Sequence, residues 1–372
     1  MKNNTSNNTD IKIRITGNQF ASVLCITALG GFIPLTSIGQ EMGTSIGLAH
    51  VFSALPSVAF TFLYMLLCML YPRRNMLDIN RLAFGRIAGN AVTMLLSMFL
   101  LSVCIFFMFS VIHYWISLNM SQTPVVVYAL LISLLCFFAG GMGFEALARS
   151  CVIILFVMIA TVVINASFLI PKMDAVRLLP FWQFDREMML KNFTIFFPFF
   201  SVIPFFGFIF TDSVDTADRK NRWAFFKAAI ISSVFYISVS IFNVMVLGDS
   251  ISIFTYPTIQ ALSMIELSST FARIELFGIL GILSLSTMFL ILAYYGIAKN
   301  FSMLFQTKSH RLPLIVILLI SVISIHFIFE QNVPVMSKAI IGNGIKCCFL
   351  MGGMIVVIII RGLYLRYKKT LK

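Results

Sequence analysis

The residues of this sequence with the most chemical promise are helix breakers. Gly30, Gly31 and Pro34 interrupt one long apolar run as LGGFIP, and Pro198, Pro204 and Gly207 interrupt another as FPFFSVIPFFGF. Glycine weakens a helix and proline withholds a backbone donor, so each run opens and frees N–H and C=O groups. In hydrocarbon such groups are costly, and they are tolerated only where they face protein or a wet cavity. Two breaks facing one point, each with half-helix dipoles behind it, suit a small zwitterion. Hydroxyls near the same depth, on Ser97, Ser201, Ser284, Ser286 and Thr287, can complete a ligand's hydrogen bonds. Each can equally bond back to a carbonyl of its own helix.

Ionisable groups near the apolar runs are few. Glu145, Arg273 and Glu275 all sit near segment ends, where a structural or gating role is expected in preference to a proton relay. Arg273 and Glu275 are two residues apart and point to different faces of a helix, so they do not pair with each other. Asp212 ends the second broken run beside a charged loop and is expected to be solvated. The four histidines are scattered over four segments, and no Walker-type loop is present. The sequence therefore points to neither an enzyme nor a self-contained ATP-driven pump. The seven cysteines fall in or beside apolar runs without zinc-type spacing and read as small core residues, so no metal and no cofactor is expected.

The elements that must hold these residues follow from composition. Of 372 residues, 59% are hydrophobic and 11% charged, against about 45–50% and 25% in ordinary soluble domains. Runs of about 20 apolar residues, enough to cross a hydrocarbon core about 30 Å thick, recur along the whole chain. Ten segments are expected: 18–38, 47–71, 87–115, 123–142, 146–170, 193–211, 224–247, 270–298, 313–330 and 345–365, the third and eighth longest and tilted. The fold class is an all-α polytopic membrane protein. Its breaks fall in the first and sixth segments, which are equivalent positions in a five-plus-five inverted repeat. Because five is odd, the two broken helices run antiparallel.

The formal net charge of +13 raises nucleic acid as a partner. Most of the 27 Lys and Arg residues, however, fall in alternate loops, the signature of topology in a lipid bilayer. No compact basic domain is left to hold a phosphate backbone, so no nucleic-acid partner is expected. The asymmetry puts both termini in the cytoplasm. It gives a polar tail over 1–17, a single transmembrane domain over 18–365 and a basic tail over 366–372. The polar start makes a poor signal peptide, and its Asn-x-Thr sequons lie on the cytoplasmic side. Two outer connections, near 171–192 and 248–269, are long enough for short interfacial helices covering an outward-facing cavity.

Several stretches resemble the spore germination permease family, the B subunits of GerA-type nutrient germinant receptors. The opening ITGNQFASVLCITALGG resembles that family's start, and TYPTIQALSMIELSSTFARIELFGI resembles its Tyr-Pro motif followed by an Arg-x-Glu-type element, here Arg273, Ile274 and Glu275. GRIAGN before the third segment is a weaker match, and Thr44, Ser45 and Ile46 depart from the acidic residue and tryptophan that often open the family's second helix. The resemblance implies the ten-helix inverted repeat of amino acid-polyamine-organocation transporters and an amino acid or similar small nutrient as ligand. It also implies a spore inner membrane, partnership with an A subunit and a lipoprotein C subunit, and conversion of nutrient binding into germination. Gly30, Gly31 and Phe32, the facing part of the sixth segment (Ser201, Val202 and Pro204) and Thr287 would line the pocket. On that basis Thr287→Val is expected to weaken a ligand response more than Ser286→Val.

A sensor needs only unequal affinity for two states, whereas a permease coupled to a proton or sodium ion needs an ion site linked to the substrate site. The scarcity of midplane carboxylates favours the sensor. An ion-coupled amino acid permease is the alternative, and a ligand-free scaffold a third reading.

Overall fold

The computed structural model describes residues 15–31, 33, 46–118, 123–178, 209–215, 218–265, 275–328 and 352–364. Among them the regular structure is helical: α1 Gly17–Leu29, α2 Ile46–Leu70, α3 Met76–Phe84, α4 Arg86–Ser117, α5 Val125–Gly141, α6 Phe144–Leu169, α7 Arg219–Leu247, α8 Pro257–Ser263, α9 Glu275–Leu304, α10 Arg311–Ile328 and α11 Gly352–Tyr364. Helices stand at nine of the ten expected segments. The sixth, 193–211, lies outside the described residues except for Ile209, Phe210 and Thr211 at its end.

α1 starts on a capping box. Thr16 Oγ1 accepts from the Gln19 N–H at 3.3 Å, and Gln19 Oε1 accepts from the Thr16 N–H at 2.9 Å. The helix stops at the double glycine, well short of residue 38. The Gly30 N–H closes the last turn onto the Ile26 carbonyl at 2.8 Å, and Gly30 and Gly31 form a turn. α3 was not among the expected segments, because its nine residues are too few to cross a membrane and mix charge with apolar groups. Asn75 caps it, accepting from the Asp78 N–H at 2.7 Å.

The GRIAGN stretch makes the corner between α3 and α4. Gly85 turns the chain at φ 88°, and a methyl group on Gly89 would lie 2.7 Å from the Arg81 backbone, so the two helices meet at a distance only glycine permits. Asn80 Nδ2 donates to Thr93 Oγ1 at 2.9 Å and Arg81 Nε to Asn90 Oδ1 at 2.7 Å, which fixes the crossing.

α9 is the central element, packed against α1, α4, α5, α6 and α10. Met288 to Ala298 are almost continuously buried along it. The outer faces are apolar instead. Leu131 and Phe138 of α5, Ile153 and Phe156 of α6, and Leu312 and Phe327 of α10 are all exposed. Faces this apolar require lipid as their solvent, and the protein is a multi-pass membrane protein. Among the described residues, five helices are long and apolar enough to span a bilayer on their own.

At the end of α9 remote from α3, the two long connections expected near 171–192 and 248–269 carry short elements. α8 occupies one, and 3₁₀ turns at Ile170–Lys172 and Ala175–Leu178 begin the other. The Asp174 N–H donates to the Met245 carbonyl at 3.0 Å, tying these turns to the end of α7.

Candidate functional site at the broken end of α1

A helix that stops inside a membrane protein leaves its last carbonyls without intrahelical donors. The buried phenol of Tyr236 on α7 meets two of them, donating to the Ala28 carbonyl at 2.9 Å and to the Leu29 carbonyl at 3.3 Å. The next residue, Gly30, lies directly against α9. A methyl group on it would sit 2.1 Å from Phe289 Cβ, far inside any tolerable contact. Phe289 is fully buried, and its ring centroid is 4.8 Å from that of Phe107 on α4. One turn earlier on the same face of α9 is Ser286, buried, whose Oγ has no hydrogen-bond partner among the described residues.

The break in the first segment therefore has a cap, a close contact with α9, two aromatic rings and one hydroxyl with capacity to spare. Such an arrangement offers a small molecule backbone and hydroxyl hydrogen bonds beside an aromatic wall in which the two rings pack on each other. Tyr236, Phe289 and Phe107 do not stand out in the sequence, since a Tyr or Phe in an apolar run looks like any other packing residue. A phenol whose partners are carbonyls on another helix has no local spacing to reveal it.

The remaining candidates divide. Gly30 and Gly31 are buried at the turn. Ser97 is buried and donates to its own Thr93 carbonyl at 2.8 Å. Thr287 donates to the Leu283 carbonyl at 2.7 Å, and the exposed Ser284 to the Leu280 carbonyl at 2.7 Å. These three hydroxyls are occupied within their own helices, whereas Ser286 is not. Glu145 pairs with Arg149 one turn on at 2.5 Å, at the exposed start of α6. Glu275 is the first residue of α9. Phe32, Ser201, Val202, Pro204 and Arg273 lie outside the described residues.

The charges around the end of the sixth segment depart from expectation. Asp212 is not a solvated loop residue. Lys299 of α9 donates to both of its oxygens, at 2.6 and 2.7 Å, and each side chain is only 20% exposed. The reason is packing: Phe210 stacks on Phe144 with ring centroids 4.5 Å apart, next to Tyr295, and this draws residues 209–213 onto α9. Thr211 Oγ1 donates to the Arg74 carbonyl at 3.1 Å, and Arg73 pairs with Asp215, its Nε donating to Oδ1 at 3.0 Å. The hydrogen bond and the charge of Asp215 push the Arg73 pKa up. The end of the sixth expected segment is thus fastened by two ion pairs to α9 and to the loop before α3. Among the described residues no cluster of His, Cys, Asp and Glu could hold a metal.

A family model described as "Spore germination protein" matches residues 11–333. Among solved structures, the chain is similar to a Na⁺-coupled sialic acid symporter in a substrate-bound outward-open state, with a TM-score of 0.60 and 14% identity, over 91% of this chain and 79% of that one. It is also similar to the manganese transporter of Eremococcus coleocola, with a TM-score of 0.54 and 12% identity, over 96% of this chain and 77% of that one. No curated protein matches at a significant level. The fold is that of these transporters.

Proposed function

From the premise that the chain belongs to the spore germination protein family, we propose that it is the membrane subunit of a spore germinant receptor, binding an amino acid or similar small nutrient at the broken end of α1. The observation that carries this reading is the juxtaposition of the Gly30 turn with Phe289 and the unpartnered Ser286 hydroxyl. A ligand that accepts or donates at Ser286 and meets the helix end supplies the hydrogen bond this buried hydroxyl otherwise lacks. Binding there is sensitive to small movements of α1 against α9, because the glycine contact leaves no slack. That makes the contact a suitable element for turning occupancy into a change of state. The proposed chain has both termini in the cytoplasm, works in the spore inner membrane and assembles with an A subunit and a lipoprotein C subunit.

The ion-coupled permease remains the second reading, since the relatives in fold are a Na⁺-coupled symporter and a manganese transporter. The two differ in what crosses the membrane. Purified protein in liposomes is first screened by thermal shift against single amino acids, sugars and nucleosides, with Gly31→Leu and Ser286→Ala as controls. A ligand at 100 times its dissociation constant stabilises by about 2.7 kcal/mol. A selective shift lost in both variants, without uptake of that ligand under a Na⁺ or proton gradient, is the expected result. Gradient-driven uptake replaces the sensor by a permease, and a shift retained in both variants removes the α1 break as the site.

A further inference from the structure

A second polar cluster lies at the other end of α9 from α3, where α6, α7, α8 and α9 line a half-open cavity of about 50 Å³. Its walls are mostly apolar, including Met158, Val162, Leu169, Phe242 and Ile282, but four polar side chains enter it: Thr161, Asn165, Asn243 and Thr258. All four are buried. An asparagine in an apolar helix is costly unless both halves of its amide are satisfied.

Only one half of the Asn165 amide is satisfied. Its Nδ2 donates to the Thr161 carbonyl at 2.8 Å, which fixes the orientation of the amide, because the reverse would set two oxygens against each other. Its Oδ1 is buried without a partner among the described residues. Across the cavity, Asn243 Nδ2 donates to Thr258 Oγ1 at 2.9 Å. A hydroxyl can both donate and accept, so in either orientation of the Asn243 amide this pair keeps a donor that no described acceptor takes, the Thr258 O–H or the Asn243 amide N–H. A buried free acceptor facing a free donor in a mostly apolar, half-open cavity matches a hydroxyl group on a short hydrocarbon.

We propose that this cavity binds a small uncharged amphiphile, with the hydroxyl of an aliphatic alcohol donating to Asn165 Oδ1 and accepting from the Asn243–Thr258 pair, and its chain lying among the apolar walls. Charge excludes the obvious competitors. Among the described residues no lining side chain is ionisable, so a bare cation or an ammonium would meet no counter-charge from them. At roughly 10–15 Å³ per water, the space between the walls holds about four waters or about five heavy atoms, and the half-open mouth lets the end of a longer chain project from it. Because α8 forms one wall and follows Tyr256, an occupant here would stiffen the connection between α7 and α9 at their outer ends.

The test uses the full-length protein in liposomes and a short aliphatic alcohol carrying a photoreactive diazirine, with labelled residues located by mass spectrometry. Saturable labelling within residues 158–169, 235–243 or 258–262, competed by n-butanol but not by n-butylammonium, is the expected result. Val162→Phe, which fills the space, should abolish the saturable component. Asn165→Leu, which removes the acceptor, should raise the half-saturating concentration about five- to tenfold, the effect of one hydrogen bond. Ser286→Ala should leave labelling unchanged. Non-saturable labelling spread over lipid-facing residues, equal competition by n-butylammonium, or saturable labelling retained in correctly folded Val162→Phe would each overturn the proposal.

Discussion

The Tyr236 hydroxyl donates to the Ala28 carbonyl at 2.9 Å, joining α7 to the broken end of α1 across 208 residues of sequence. With the second, longer contact to Leu29, its single proton is shared between two carbonyls that a truncated helix cannot satisfy within itself. Tyr236→Phe keeps the ring and removes both bonds. We expect a loss of about 1–2 kcal/mol of stability, measured by unfolding in mixed micelles, and a weaker response to ligand. Unchanged values of both would mean that the break is held by other contacts.

The contact of Gly30 with Phe289 predicts a steric double-mutant pattern. Gly30→Ala should reduce ligand affinity by about tenfold or more, because a methyl group cannot fit 2.1 Å from Phe289 Cβ without moving α1 or α9. Phe289→Ala opens space and costs about 3 kcal/mol or more when made alone. Combined with Gly30→Ala, it should recover part of the lost affinity. Strict additivity of the two losses would show that the contact is not the source of either.

Among the hydroxyls of α9, the geometry favours Ser286. Ser286→Ala should weaken the ligand response about five- to tenfold, whereas Thr287→Val should change it by less than about twofold, since the Thr287 hydroxyl already bonds to Leu283. Isothermal titration of each variant with the nutrient identified by thermal shift decides the matter. A larger effect at Thr287 would put that residue back in the pocket and require a turn of α9 on ligand binding.

The Lys299 pair with Asp212 is half-buried, so removing one partner leaves the other poorly solvated. Lys299→Met should destabilise by about 1–3 kcal/mol, below the cost at a fully buried pair because solvent still reaches both groups. Asp212→Asn in the Lys299→Met background should recover most of that loss. If closure on this side depends on the pair, cysteine accessibility around residues 209–213 will rise in the single variant and fall in the double. No change in accessibility would confine the pair to a purely stabilising role.

Gly89→Ala should cost about 1–3 kcal/mol, because its methyl would meet the Arg81 backbone at 2.7 Å and the Asn80 and Arg81 side-chain bonds would have to lengthen. Thermal unfolding measures this directly. A neutral result would mean that the α3–α4 corner can open without loss.

What the sequence determined by itself is local or additive. Apolar runs, alternation of basic loops and the double glycine at Gly30 and Gly31 each act within a few residues of where they are written. Membrane insertion, the approximate position of nine helices and the end of α1 therefore follow without knowledge of packing. GRIAGN was visible as a motif, though its task, bringing α3 and α4 to glycine-only distance, was not. The tertiary structure alone decided how unpaired groups were matched. Tyr236 meets carbonyls 207 and 208 residues away, Lys299 meets Asp212 across 87, and Asn243 takes up Thr258 while Asn165 keeps a free oxygen. A hydroxyl, an amide or a carboxylate reads the same in sequence whether it is satisfied or not. In a low-dielectric interior its energy depends on which partner the packed helices bring within about 3 Å, and no local pattern encodes that distance.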